Sequence, residues 1–130
     1  MKRANTISVV GLGKLGSCLA ACLAYKGFRV LGLDINQEIV DLINRRAAPV
    51  TEPRLQELMD QIKSSLTATT EAHEIMEQTD VSFIAVPTPS AKNGEFSTVY
   101  LEDLFKTVSP FLKNKKTQHL FVITSTVSPG

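Results

Sequence analysis

Short apolar runs alternate along the chain with stretches in which apolar residues recur at helical spacing. Runs that are β-branched or almost wholly apolar, and that end in turn residues, predict strands. They cover residues 6–10, 28–33, 66–69, 81–86 and 120–123. The run over residues 81–86 is nearly continuous, which is typical of a strand covered on both faces.

The first helical stretch runs to about Tyr25, and Gly27 is expected to end it. Its expected buried side consists of Leu15, Leu19, Cys22 and Leu23. Cys18 and Cys22 lie one helical turn apart, with Cβ atoms about 5–6 Å from each other, whereas a disulfide needs about 3.5–4.5 Å. The spacing therefore predicts free thiols that act as small buried hydrophobes. Both histidines are distant in sequence, so the thiols do not predict a metal site.

The remaining helices follow the later strands in turn. Asn36 can N-cap the second helix, and Pro53 suits the first turn of the third. A short helix is predicted over residues 71–78, and Pro110 is expected to close the last one. The positions expected to be buried in these helices are Ile39, Leu42, Ile43, Leu55, Leu58, Met59, Ile62, Ile75, Met76, Leu101, Leu104, Phe105 and Val108.

This alternation of strand and helix predicts an α/β fold with a parallel sheet and helices on both faces. Right-handed crossovers then favour a doubly wound, Rossmann-type sheet with strand order 3-2-1-4-5. The chain has 130 residues, which is enough for one domain of ordinary size. We therefore assign residues 1–130 to a single domain.

Composition excludes several classes of function. The chain carries 14 Lys and Arg against 13 Asp and Glu, whereas a nucleic-acid-binding domain usually has a basic excess. The longest apolar stretch, residues 18–25, is far shorter than the roughly twenty residues that span a bilayer. No export signal is visible near the start. These features predict a cytoplasmic protein that binds neither nucleic acid nor membrane.

The sequence GLGKLG at residues 11–16 matches a phosphate-binding turn between a predicted strand and a predicted helix. In such a turn Gly11 permits the tight bend, Gly13 allows the backbone to approach a pyrophosphate, and Gly16 lets the helix pack close to the strand. The anion is then held by free N–H groups at the helix N-terminus. This context predicts dinucleotide binding. An S-adenosylmethionine-dependent methyltransferase, the rival with a glycine-rich first turn, has no pyrophosphate that would require these three glycines.

Asp34 ends the second predicted strand, where an acid can accept hydrogen bonds from the adenosine ribose. A carboxylate at this place repels a 2′-phosphate, so the cofactor is expected to be NAD rather than NADP. The alternative role for Asp34 is a solvated turn residue.

Two further motifs follow the fourth and fifth strands, VPTPS at residues 86–90 and STVSPG at residues 125–130. Ligands bind at the carboxyl ends of parallel strands, so the hydroxyl groups of Thr88 and Thr126 are candidates for contact with the cofactor. Each threonine could instead form only a local turn hydrogen bond.

Taken in order, these motifs resemble the N-terminal domain of the UDP-glucose/GDP-mannose dehydrogenase family. The family pattern is G-x-G-Y-V-G, an Asp, E-P-G-L, V-x-T-P and S-T-V-x-P-G. This chain has the matching segments at residues 11–16, 34, 52–55, 86–89 and 125–130. Lys14 and Leu15 replace the family's Tyr-Val, and Arg54 replaces its Gly. Ile39 and Thr124 stand where the family often has a basic residue.

The resemblance implies an NAD-dependent oxidation of the C6 alcohol of a sugar nucleotide to a carboxylate, by two hydride transfers. Backbone N–H groups of Lys14 and Leu15 would meet the pyrophosphate, Asp34 would hold the ribose, and Thr88 and Thr126 would lie near the nicotinamide. The cofactor-binding residues implied in this way are Gly11, Leu12, Gly13, Lys14, Leu15, Gly16, Asp34, Thr88 and Thr126. No metal ligand is implied.

The family's catalytic cysteine, lysine and asparagine, and its sugar-nucleotide site, lie beyond these motifs, so we assign no catalytic residue. The chain alone is expected to be inactive, to meet a sugar nucleotide only with a downstream domain, and to belong to a homo-oligomer when complete. It could be the first part of a longer enzyme or a natural short relative. Two other functions remain open, an NAD-sensing module without catalysis and the cofactor domain of a 3-hydroxyacid-type dehydrogenase, although Glu52-Pro53 argues against the latter.

Overall fold

A computed structural model describes residues 6–90, 92 and 98–125. Five parallel strands form one sheet in the order β3-β2-β1-β4-β5. The strands are β1 (Thr6–Val10), β2 (Arg29–Leu33), β3 (Leu66–Thr69), β4 (Val81–Ile84) and β5 (Leu120–Ile123). The helices are α1 (Lys14–Tyr25), α2 (Gln37–Asn44), α3 (Leu55–Ile62), α4 (Ala72–Gln78) and α5 (Val99–Lys113), with a short 3₁₀ turn at Lys63–Ser65 before β3. The predicted fold class and strand order are confirmed.

The sheet separates two apolar layers. The larger layer joins α1, α2 and α3 to the sheet, and its fully buried side chains include Leu12, Ile43 and Met59. The second layer joins α4 and α5 to the opposite face, around Ile75 and Ile84. From β1 the chain adds β2 and β3 on one side and then β4 and β5 on the other. Because the crossovers are right-handed, this reversal places helices on both faces of the sheet. In the described part of the chain, no helix has the length and apolar character needed to cross a membrane.

The buried face of α1 differs from the prediction. Its buried residues are Gly16, Ser17, Ala20, Ala21 and Ala24. Leu15 is instead 56% exposed, Cys22 is exposed, and Leu19 and Leu23 are half-buried. Small residues let the helix backbone lie close to the sheet, so the larger apolar residues are displaced to the flanks. Both thiols are free, and partial burial raises the pKa of the Cys18 thiol.

The prediction that Pro110 closes the last helix is wrong, because α5 continues through Pro110 to Lys113. A proline inside a helix costs about 3 kcal/mol, so the last turn needs other support. Leu112 packs against the second apolar layer. Just beyond the helix, the Lys115 ammonium group donates to two backbone carbonyls at 2.6–2.7 Å and pairs with Asp80 at 2.8 Å. These contacts fix the end of α5 against the start of β4.

A buried polar cluster connects three strands near their amino ends. Ser8 of β1 and Ser82 of β4 are fully buried, with their hydroxyl oxygens 2.5 Å apart. The Ser82 hydroxyl also lies 2.7 Å from His119 Nε2, one residue before β5. Burial, and then the charge of Lys115, lower the pKa of His119 from 6.5 to about 4. The folded protein therefore holds this imidazole in its neutral form.

The depressed pKa of His119 predicts acid sensitivity. As pH falls from 6.5 to 4, the unfolded chain takes up a proton on His119 before the folded chain does, so stability is retained above pH 6.5 and lost through that window. We expect the urea midpoint to fall across this range, and to fall less in His119→Gln. His73→Gln, a change at the half-buried histidine of α4, which lies outside this polar cluster, is the control. Equal slopes in all three proteins would contradict the assignment.

One side chain closes part of the outer edge of β3. The Asn44 amide donates to the Ala68 carbonyl at 3.0 Å and accepts from the Ala68 N–H at 2.8 Å. It therefore takes the place of a neighbouring strand at this residue.

Candidate cofactor-binding site

The glycine turn crosses directly over the end of β4. Gly11 has a φ of +91°, a conformation that L side chains rarely adopt. A Cβ at this residue would also lie 2.8 Å from the Ala85 carbonyl oxygen. The Gly11 N–H donates to the Leu33 carbonyl at 2.8 Å, which ties the turn to the end of β2. Both conformation and space therefore require glycine here.

Gly16 brings α1 against the turn that precedes it. A Cβ at Gly16 would lie 1.6 Å from the Gly11 carbonyl oxygen. The fully buried Leu12 side chain packs against Gly32 of β2, and a Cβ on Gly32 would lie 2.8 Å from Leu12 Cδ1. The turn is thus fixed by close backbone packing and by one apolar anchor.

Gly13, unlike Gly11 and Gly16, has open space around it. It is the N-cap residue of α1, its backbone is extended, and nothing lies within 4 Å of an added Cβ. The first turn of α1 contains no acidic residue. The N–H groups at a helix N-terminus lack partners within the helix and attract anions. An open surface at this point fits the pyrophosphate of a dinucleotide.

The carboxylate of Asp34 is hydrogen-bonded to the glycine turn. Its Oδ2 accepts a hydrogen bond from the Leu12 N–H at 2.7 Å, and its Oδ1 accepts one from the Asn36 N–H at 2.9 Å. Each carboxylate oxygen has a second acceptor position, so the half-buried side chain can still receive ribose hydroxyls. Sequence reasoning weighed a ribose contact against a solvated turn residue and missed this bond to the phosphate turn.

Side-chain hydrogen bonds join the carboxyl ends of β4 and β5. The Thr124 hydroxyl donates to the Ile84 carbonyl at 2.6 Å, and the Ser125 hydroxyl donates to the Val86 carbonyl at 2.8 Å. Thr88 is half-buried in the segment after β4. Thr126 lies outside the described residues. A cofactor contact by either Thr88 or Thr126 stays a prediction. The bond from Ser125 to Val86 lies within the STVSPG motif and was not predicted.

The segment before α3 lies against the first turn of α1. Lys14 Nζ is 3.5 Å from Glu52 Oε2. Arg54, two residues later, has a φ of +70°, at the place where the family pattern described above has glycine. Its side chain is largely exposed and lies 3.9 Å from the carboxylate of Glu57. The left-handed backbone explains the family's preference for glycine and makes Arg54 a strained residue.

Arg54→Gly is therefore expected to stabilise the domain. The left-handed backbone conformation costs an L residue about 1–2 kcal/mol of stability, and Arg54→Gly removes this cost. Glycine also makes the unfolded chain more flexible, which lowers stability by about 0.5–1 kcal/mol. The net gain should be about 0.5–1 kcal/mol, or a rise of about 2–4 °C in melting temperature. Arg54→Ala removes the same charge but keeps the strain, and it should leave the melting temperature nearly unchanged. A gain in both variants would assign the effect to charge instead.

These observations define a class of protein. A parallel sheet in this order, a glycine turn opening α1 and an acid directly after β2 are the parts of a Rossmann-type dinucleotide-binding domain. The family model described as "UDP-glucose/GDP-mannose dehydrogenase family, NAD binding domain" matches residues 5–130, and the chain belongs to this family. The cofactor is accordingly NAD. Membership rules out the methyltransferase and the 3-hydroxyacid-type dehydrogenase. Within the described residues, no group of three or more His, Cys, Asp and Glu side chains could hold a metal ion.

Characterised relatives are similar over almost all of the chain. A GDP-mannose 6-dehydrogenase of Pseudomonas syringae pv. syringae is 41% identical over 126 residues, and a UDP-glucose 6-dehydrogenase of Haloferax volcanii is 37% identical over 124 residues. Each alignment covers 95% of this chain and 29% of the relative. The chain therefore spans less than a third of the length of these enzymes.

Solved structures show the same similarity. A ternary complex of GDP-mannose dehydrogenase from Pseudomonas aeruginosa superposes with a TM-score of 0.91 at 38% identity, over 95% of this chain and 29% of that one. A UDP-glucose dehydrogenase from Pyrobaculum islandicum gives a TM-score of 0.89 at 37% identity, over 97% of this chain and 30% of that one. These matches confirm the fold that the strand order defines.

Proposed function

We propose that this chain is the cofactor-binding part of an NAD-dependent nucleotide-sugar 6-dehydrogenase. The observation that carries the proposal is the hydrogen bond from the Leu12 N–H to Asp34, which joins the glycine turn at residues 11–16 to the acid proposed to hold the ribose. The relatives named above, GDP-mannose and UDP-glucose 6-dehydrogenases, support the substrate class. Bound NAD would supply the hydride acceptor for oxidation of the sugar.

The residues of this chain would bind and orient the cofactor. N–H groups at the start of α1 would hold the pyrophosphate, with Gly13 allowing its close approach. Asp34 would accept hydrogen bonds from the adenosine ribose and disfavour a 2′-phosphate. Thr88 and Thr126 would lie near the nicotinamide end. Oriented reactants can recover about 7–11 kcal/mol of a barrier, so this positioning is a substantial part of catalysis.

The sugar nucleotide would be held elsewhere. In this proposal residues 1–130 form the NAD-binding domain, and a second domain supplies the catalytic nucleophile and the sugar-nucleotide site. The complete enzyme would be a cytoplasmic homo-oligomer. Relatives that act on GDP-mannose and on UDP-glucose are both similar to this chain, so the proposal names the sugar-nucleotide class rather than one sugar.

Turnover assays test this proposal directly. The 130 residues alone should bind NAD but form no NADH from GDP-mannose or UDP-glucose. A longer protein in which this chain is followed by a second domain should form two NADH for each sugar nucleotide oxidised to the acid. NADH absorbance and calorimetric titration of NAD make the two measurements. NADH formation by the chain alone would place the nucleophile among these residues. UDP-N-acetylmannosamine, the substrate named for a further relative of this chain, is assayed beside GDP-mannose and UDP-glucose. A longer protein that binds NAD but oxidises none of the three sugar nucleotides would contradict the nucleotide-sugar assignment.

A further inference from the structure

An acidic side chain lies unusually close to the phosphate turn. Glu52 precedes α3, yet its carboxylate is 3.5 Å from the ammonium group of Lys14, the first residue of α1. The Glu52 side chain is 23% exposed and the Lys14 side chain 75%. The carboxylate is thus the more fixed of the two charges, and the lysine reaches over to it from the solvent side.

The charge of Glu52 also acts on the first turns of α1. The pKa of Cys18, one turn beyond Lys14, is raised first by burial and then by the negative charge of Glu52, while Lys14 acts in the opposite direction. The electrostatic environment at the start of α1 is therefore a balance between these two side chains.

This balance matters for an anionic ligand. The pyrophosphate of NAD carries two negative charges, and its expected place is the N-terminus of α1, beside Lys14. A carboxylate fixed near that place repels the pyrophosphate unless a cation accompanies it. In a site built only from backbone N–H groups and a helix dipole, Glu52 without Lys14 would oppose binding.

We propose that Lys14 sets NAD affinity by neutralising Glu52 beside the bound pyrophosphate, rather than by an independent contact with the phosphates. The proposal rests on the assignment of the pyrophosphate to the turn at residues 11–16. It explains how this chain accommodates Lys14 where the family pattern described above has an aromatic residue. It also makes the two side chains interdependent: Lys14 matters for NAD affinity only while Glu52 is present, and Glu52 weakens binding only when Lys14 is absent.

A double-mutant cycle separates the two roles of Lys14. In Lys14→Met the dissociation constant for NAD should rise about tenfold, the size expected when one charge near a bound anion loses its partner at a protein surface. Glu52→Gln should change it by less than about threefold, and Lys14→Met/Glu52→Gln should return to within about threefold of wild type. The deficit of Lys14→Met should also shrink with added salt, because exposed charges are screened.

The controls make each outcome decisive. Lys26→Met removes the same charge at the opposite end of α1 and should leave NAD affinity unchanged. Melting temperatures should agree among all variants, since Lys14 is 75% exposed and an ion pair at the protein surface contributes about 0–1 kcal/mol. If the double variant binds as weakly as Lys14→Met, the lysine contacts the phosphates directly and the proposal is overturned. Unchanged affinity in Lys14→Met overturns it as well. A wild-type chain that fails to bind NAD would instead overturn the proposed function.

Discussion

Gly16→Ala should abolish NAD binding and destabilise the domain by at least about 3 kcal/mol, at the upper end of overpacking effects. The added methyl group would lie 1.6 Å from the Gly11 carbonyl oxygen and 2.8 Å from the Gly11 carbonyl carbon. These atoms belong to the backbone, and Gly11 is itself bound to Leu33 of β2. Relief would require α1 to move away from the sheet, which opens the apolar layer beneath it. Urea unfolding and NAD titration measure both effects.

Gly13→Ala is the matched control within the same turn. Nothing lies within 4 Å of a Cβ at this residue, and its φ of −74° is ordinary for alanine. Stability should therefore change by less than about 1 kcal/mol, while NAD affinity should fall because the methyl group occupies the path of the pyrophosphate. If Gly13→Ala binds NAD normally, the pyrophosphate does not cross this residue. If Gly16→Ala keeps wild-type stability, the close packing of α1 is wrong.

Asp34→Ala should weaken NAD binding by about one to two decades and should also lower stability. A hydrogen bond to a charged group contributes about 1.5–3 kcal/mol, which accounts for the loss of the ribose contacts. The stability loss arises because the N–H groups of Leu12 and Asn36 both lose their acceptor. The wild-type preference for NAD over NADP should decrease in the variant, since the carboxylate that repels a 2′-phosphate is gone.

Two related variants refine this result. Asp34→Asn keeps one acceptor oxygen, so it should lose less stability than Asp34→Ala while losing the charge that excludes NADP. Asp41→Ala removes an exposed acid from α2 and should leave the NAD-to-NADP ratio unchanged. Titration calorimetry with both cofactors gives the ratios. Equal binding of NAD and NADP by the wild-type chain would contradict the role of Asp34.

The strand order and the phosphate turn were predictable because both depend on local signals. Five apolar runs separated by helical stretches admit few right-handed arrangements, and the glycine spacing requires no knowledge of distant residues. Asn36 was also predicted correctly, since its side chain accepts from the Glu38 N–H at 2.9 Å and caps α2. Such local signals act within a few residues.

The errors share a physical cause, which is contact between distant segments. Periodicity selected the largest apolar residues of α1, but the sheet admits only small ones, so Leu15 and Cys22 face outward. Pro110 is a helix terminator by local rules, yet contacts at and beyond the end of α5 hold the helix together past it. The bond between Asp34 and Leu12 and the ion pair of Lys14 with Glu52 likewise join residues whose proximity exists only after folding.

The amide of Asn44 has a consequence for how separate molecules meet. An unpaired strand edge is a template on which another chain can add a strand, the first step in aggregation. By occupying both backbone groups of Ala68, Asn44 blocks the middle of β3 to such an addition. The opposite end of the sheet has exposed Leu120 and Ile123 on β5. Self-association of the isolated domain is therefore expected at β5 rather than at β3.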